Sequence, residues 1–116
     1  MAGSCRSCRP GVPCEDHFQQ QVIALARLRG WRVAHFRPAQ TAKGWRTPVA
    51  ADGKGFPDLL MVRARTGQIV AMELKGRRGQ LTPEQKVWLE DFATVPGAVS
   101  RCYRPADWPV IEALLK

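Results

Sequence analysis

Asp58, Glu73 and Lys75 are the side chains whose types and spacing could do chemistry together. Asp58 closes the run Gly55-Phe56-Pro57-Asp58 and is followed by Leu59-Leu60-Met61-Val62. Glu73 and Lys75 end the run Ile69-Val70-Ala71-Met72-Glu73-Leu74-Lys75. Carboxylates at the ends of apolar segments are costly unless something uses them. Two acids and a lysine suit a divalent cation with a phosphate above it, and oxygen ligands match Mg²⁺ or Mn²⁺ rather than zinc. Such a site hydrolyses phosphodiesters: the cation acidifies a bound water and offsets transition-state charge. Lys75 would orient that water or stabilise the same charge.

The elements that must position these groups are legible as patterns. Two apolar runs joined at Arg65-Thr66-Gly67 predict a hairpin of strands over 58–64 and 68–75. Alternation puts Glu73 and Lys75 on one face and turns Leu74 to the core. Antiparallel pairing then brings Asp58, at the start of one strand, to the end of the other. Upstream, Phe18, Val22, Leu25 and Ala26 recur at helical spacing, with Glu15 and Asp16 in the first turn and Gly30 after the last. That predicts a helix over 15–29. Residues 31–37 read as a strand and 38–55 as a long basic loop. Thr82-Pro83-Glu84-Gln85 is a capping box opening a helix to about Val95 that buries Trp88, Leu89 and Phe92. Residues 98–103 read as a strand and 106–115 as a closing helix. Trp31, Trp88, Trp108 and Cys102 are expected in the core. The order α-β-β-β-α-β-α is that of an α/β domain with a mixed sheet flanked by helices.

Charge points to the partner. The net charge is +8 and the pI about 10.1, which is a nucleic-acid footprint. Between Arg27 and Arg78 there are twelve Lys or Arg and three acids, two of which are Asp58 and Glu73. A polyanion would therefore meet a basic field around a small acidic point. Arg37, Lys43, Arg46 and Lys54 in the loop, and Arg77 and Arg78 past the second strand, are candidate phosphate contacts. Trp45 could stack on an unpaired base, and His35 reads as a structural strand histidine. No apolar run reaches the roughly 18 residues of a membrane span, and the N-terminus lacks the apolar stretch of a signal peptide. A cytoplasmic protein is the expectation.

At 116 residues the chain reads as one domain over 14–116, preceded by a flexible basic lead over 1–13 that contains cysteines. Cys5, Cys8, Cys14 and His17 spell C-x2-C-x5-C-x2-H. These are zinc-capable ligand types. The central gap is short for a zinc finger, so the sequence favours free thiols in a chain terminus over bound Zn²⁺.

Pro57-Asp58 followed by Glu73-Leu74-Lys75 resembles the PD-(D/E)XK nuclease superfamily. The finer resemblance is to the virus-type replication-repair nuclease, or VRR-NUC, domain. It extends through Glu15, Arg29-Gly30-Trp31, Gly55, the segment Leu81-Thr82-Pro83-Glu84-Gln85-Lys86-Val87-Trp88-Leu89, and Tyr103-Arg104-Pro105-Ala106-Asp107-Trp108. The ending is similar to small phage-borne members. The resemblance implies metal-dependent DNA cleavage, with Asp58, Glu73 and the Leu74 backbone carbonyl as metal ligands and Lys75 as the catalytic lysine. Glu15 would add a carboxylate from the first helix, although it equally fits helix-dipole stabilisation. Gln85 matches the family's helix glutamine but also fits the capping box. Small members resemble Holliday-junction resolvases. The expected activity is therefore a nicking or structure-selective endonuclease acting on four-way junctions or flaps, in DNA repair or recombination. Symmetric junction cleavage requires a homodimer. The competing expectation is a catalytically silent DNA-binding module with the same fold.

Overall fold

A computed structural model of the chain describes residues 5–36, 39–42, 44–46 and 49–116, the side chains of 39–41, 45 and 46 excepted. Helix α1 spans Glu15–Leu28. Acids in its first turn and Arg27 in its last complement the helix dipole. Gly30 follows with φ 88°, a left-handed conformation that glycine adopts without strain. Phe18, Val22 and Ala26, four residues apart, form its buried stripe.

Strands β1 (Arg32–His35), β4 (Leu59–Arg63), β5 (Gln68–Leu74) and β6 (Ala98–Tyr103) form one sheet in the order β1-β4-β5-β6. The first two pairings are antiparallel and the last is parallel. The sheet is therefore mixed, and α2 (Pro83–Ala93) supplies the crossover that a parallel pair requires. Helix α3 (Trp108–Leu115) follows a single 3-10 turn over Pro105–Asp107.

One departure from the expected order lies in the segment read as a loop. Residues Ala39–Thr41 (β2) and Gly44–Arg46 (β3) pair antiparallel as a separate two-stranded hairpin. The basic, glycine-containing composition of 38–55 hid strands this short from a pattern search, because three residues cannot show a period of two.

The central strand fixes the placement of everything else. Val70 to Leu74 are buried without interruption, as befits a strand covered on both faces. Val70, Met72 and Leu74 enter a cluster with Phe18, Val22, Ala26, Leu59, Met61, Ile111 and Leu115, so α1 and α3 cover that face. Ala71 and Glu73 point the other way. Trp31 is buried in the cluster under α1 and α3, its indole N–H donating to the Leu115 carbonyl at 3.0 Å. Arg63 stacks on Trp31 and donates to carbonyls of Arg29, Leu115 and Lys116, which explains a buried guanidinium.

The expected burial along α2 is looser than the pattern suggested. Trp88, Leu89 and Phe92 are half-buried, as are Trp108 and Cys102. The α2 side chains serve a different purpose: Phe56 makes edge contacts with Phe36, Trp88 and Phe92, at centroid distances of 5.2, 4.9 and 5.9 Å. This aromatic knot ties the loop before Asp58 to both α2 and the end of β1.

Candidate active site

The β4–β5 register pairs Leu59 with Met72, so Asp58, one residue earlier, stands opposite Glu73. The Asp58 carbonyl accepts from Phe36 N–H at 3.0 Å, which prolongs the β1–β4 ladder and holds its backbone. Asp58 Oδ2 accepts from Leu74 N–H at 3.0 Å. The hairpin ends by clamping the acid with its own backbone.

Glu73 is the most strained group electrostatically. It is 1% exposed, and its Oε1 has no hydrogen-bond partner among the described residues. Its Oε2 accepts from Gln85 Nε2 at 3.2 Å and lies 3.7 Å from Lys75 Nζ. Burial pushes the Glu73 carboxyl up to about 9, helped by hydrogen bonding to Asp58 and by the Asp58 and Glu15 charges, with Lys75 opposing. Two carboxyls this close pair only by sharing a proton, or by facing something positive.

Gln85 completes the capping box and also reaches Glu73. Its Oε1 accepts from Thr82 N–H at 2.9 Å and its own N–H donates to Thr82 Oγ1 at 3.2 Å, completing the capping box. The amide nitrogen is left to reach Glu73. Start-of-helix geometry therefore fixes a donor to Glu73.

Glu15 opens α1 beside the exit of β5: a Cβ built on Gly76 would lie 3.8 Å from Glu15 Cβ. Burial raises the Glu15 carboxyl above its ordinary value, Lys75 opposes, and the Asp58 and Asp16 charges add to the rise. One turn further along, Gln19 was not foreseen. Its Nε2 makes a long 3.5 Å contact with Asp58 Oδ2, and its Oε1 meets His35 Nε2 at 3.1 Å. The signal was available, since residues i and i+4 of a helix share a face and Gln19 follows Glu15 by four.

The candidate DNA contacts divide. Lys54, Arg77 and Arg78 are exposed. Arg37, Lys43 and the side chain of Arg46 lie outside the described residues, as does the Trp45 side chain.

Gly55 explains how α2 comes so near. Its φ is 83°, and an added Cβ would lie 2.6 Å from Glu84 Cβ and 2.8 Å from Gln85 N. Gly55→Ala is therefore expected to lower stability by about 1–3 kcal/mol and to push Gln85 off Glu73. A chemical denaturation midpoint checks the first effect.

The expected metal chemistry needs correction. The expectation put Mg²⁺ or Mn²⁺ at the carboxylates first and favoured free thiols over zinc at the N-terminus. Among the described residues, the metal-capable cluster of three or more side chains is instead Cys5, Cys8, Cys14 and His17, with ligand atoms all within 4.8 Å of one another. That donor set of sulfur and imidazole suits zinc, not the hard cations. The short central gap suffices because the chain reverses within it at Pro10-Gly11.

The sequence profile of the VRR-NUC domain matches residues 8–104, most of the chain, including Glu15, Asp58, Glu73, Lys75 and Gln85. The chain belongs to the VRR-NUC family. Membership carries the PD-(D/E)XK fold, which accords with a mixed sheet flanked by helices, and a nuclease-like function that takes DNA as substrate. No curated protein and no solved structure matches this VRR-NUC chain. Among its described residues, no helix is long and apolar enough to cross a membrane.

Proposed function

We propose that this VRR-NUC chain is an endonuclease that cuts branched, flapped or nicked DNA at Asp58, Glu73 and Lys75. The observation that carries the reading is Glu73: a carboxylate 1% exposed, facing Asp58, with one oxygen unsatisfied. A fold does not keep such a group for stability, since an apolar or amide side chain serves better. It fits a site built to face positive charge, and Lys75 Nζ already lies 3.7 Å from Glu73 Oε2.

The Leu74 N–H and Gln19 aim Asp58, and Gln85 aims Glu73. Lys75, two residues beyond Glu73 on the same face, stabilises charge on the phosphate as the water attacks. Arg77, Arg78 and Lys54 provide exposed positive charge for the backbone. Each chain carries one such site, so symmetric resolution of a four-way junction uses a homodimer.

The test is cleavage of end-labelled four-way, flap, splayed and linear duplex DNA with a series of divalent cations. Faster cutting of a branched substrate than of linear duplex is the expected result. Salt-sensitive binding with no product under every cation would instead identify a silent DNA-binding module.

A further inference from the structure

We propose that Cys5, Cys8, Cys14 and His17 bind one structural Zn²⁺ ion, which pins the N-terminal loop to the start of α1. The four residues are the ligand set of a closed zinc site, three thiolates and an imidazole. With Zn–S near 2.3 Å and Zn–N near 2.0–2.1 Å, tetrahedral geometry puts sulfurs about 3.8 Å apart and sulfur to nitrogen about 3.6 Å apart. Cys5 Sγ and Cys14 Sγ are 3.8 Å apart. His17 Nδ1 is 3.1 Å from Cys8 Sγ and 3.3 Å from Cys14 Sγ. Small outward shifts complete a tetrahedron.

The backbone is shaped for the same purpose. Arg9 and Val12 exchange both of their N–H···O bonds at 2.9 Å, and Pro10 and Gly11 occupy the turn between them, with Gly11 at φ 73°. Proline followed by a glycine of positive φ is the signature of a type II turn. This turn folds the five-residue gap so that Cys8 and Cys14 meet. The Cys14 N–H then donates to Cys8 Sγ at 3.0 Å, the kind of outer contact that supports a thiolate ligand.

Beyond the Arg9–Val12 turn, the described residues of this loop have little to hold them in place. None of its residues from Cys5 to Cys14 is fully buried, so it has no core of its own. All four cysteines are free, which removes a disulfide as the staple. Neutral thiols are weak hydrogen-bond partners. A bound metal supplies folding energy directly to segments too small to bury a core.

The placement gives the ion a role in the fold. Cys14 is the N-cap of α1 and makes no side-chain cap bond, so its thiol is available. Cys14 and His17 flank Glu15, the residue that approaches the exit of β5. The same turn, through Gly11 and Pro13, lines a cleft of about 660 Å³ that Arg77 and Arg104 also line. Zinc would thus set both the helix end that presents Glu15 and one bank of this basic-rimmed groove.

The experiment is metal analysis of the full-length protein from zinc-replete cells, followed by Co²⁺ exchange. The expected result is one zinc per chain and, with Co²⁺, thiolate charge-transfer and tetrahedral d–d absorption. The Cys8→Ser, Cys14→Ser double variant should lose both while its circular dichroism retains the helices and sheet. His17→Cys should keep the metal as a four-thiolate site, which guards against reading misfolding as ligand loss. Limited proteolysis should cut within residues 5–14 of the double variant and spare the wild type. Wild-type protein that carries no zinc and gives no cobalt spectrum would overturn the proposal, as would zinc retained at full stoichiometry by the double variant. Neither readout involves DNA cleavage, so the outcome is independent of the proposed nuclease reaction.

Discussion

Glu73→Gln is expected to abolish DNA cleavage while making the protein harder to unfold. The two effects have one cause. Glu73 is buried against Asp58, and its raised value of about 9 means that the folded state holds a proton the unfolded chain releases near 4.5. Between those values the native state binds more protons than the unfolded one. Stability contributed by this group is therefore full below about 4.5 and is lost as pH rises toward 9. A glutamine carries no such proton, and its amide can donate to the Asp58 carboxylate where the carboxyl could only share. The gain is expected to be on the order of 1–3 kcal/mol at pH 8 and to vanish near pH 4.5. Denaturation midpoints of wild type and variant at the two pH values, without added divalent cation, measure it. A variant less stable than wild type at pH 8 would contradict the description of the site. The loss of cleavage follows because the amide cannot hold positive charge as the carboxylate does.

Lys75→Ala is expected to lower the rate of the cleavage step by about 10²–10³-fold, the range found when one preorganised charge-stabilising donor is removed. The fold should survive. Lys75 sits at the rim of the site with its side chain 13% exposed, and its backbone N–H, not its side chain, bonds the Tyr103 carbonyl at 3.1 Å. Its nearest charged partner is Glu73, 3.7 Å away, so the variant leaves that carboxylate less compensated and modestly lowers stability at alkaline pH. Single-turnover kinetics at saturating protein separate this loss from DNA affinity, which should change little because Arg77, Arg78 and Lys54 remain. A variant defective only in binding would move Lys75 from the chemistry to the DNA surface.

The sequence made some of this site plain and concealed the rest, for identifiable reasons. The Asp58, Glu73 and Lys75 arrangement was legible because two apolar runs joined by an obvious turn form a hairpin that brings their far ends together. The capping box was legible because it is local. Gln85 looked like a choice between two roles, since a sequence cannot show that one amide uses its oxygen for Thr82 and its nitrogen for Glu73. Gln19 was missed because a polar residue on a helix face declares no partner until the helix is docked. The β2–β3 hairpin was missed because its strands are too short to carry a period. The Cys/His cluster was discounted as a chain terminus with a short central gap, although Pro10 and Gly11 could form a tight turn, and that turn is what brings Cys8 to Cys14.

Asp58, Glu73 and Lys75 are the proposed cutting site of this VRR-NUC protein. The most direct measurement is cleavage of a labelled panel of four-way, flap, splayed and linear DNA by wild type and Lys75→Ala, purified identically and assayed with the same divalent cation. Product is expected from the wild type, more from a branched substrate than from linear duplex, and almost none from Lys75→Ala. Equal cleavage by the two proteins would contradict it.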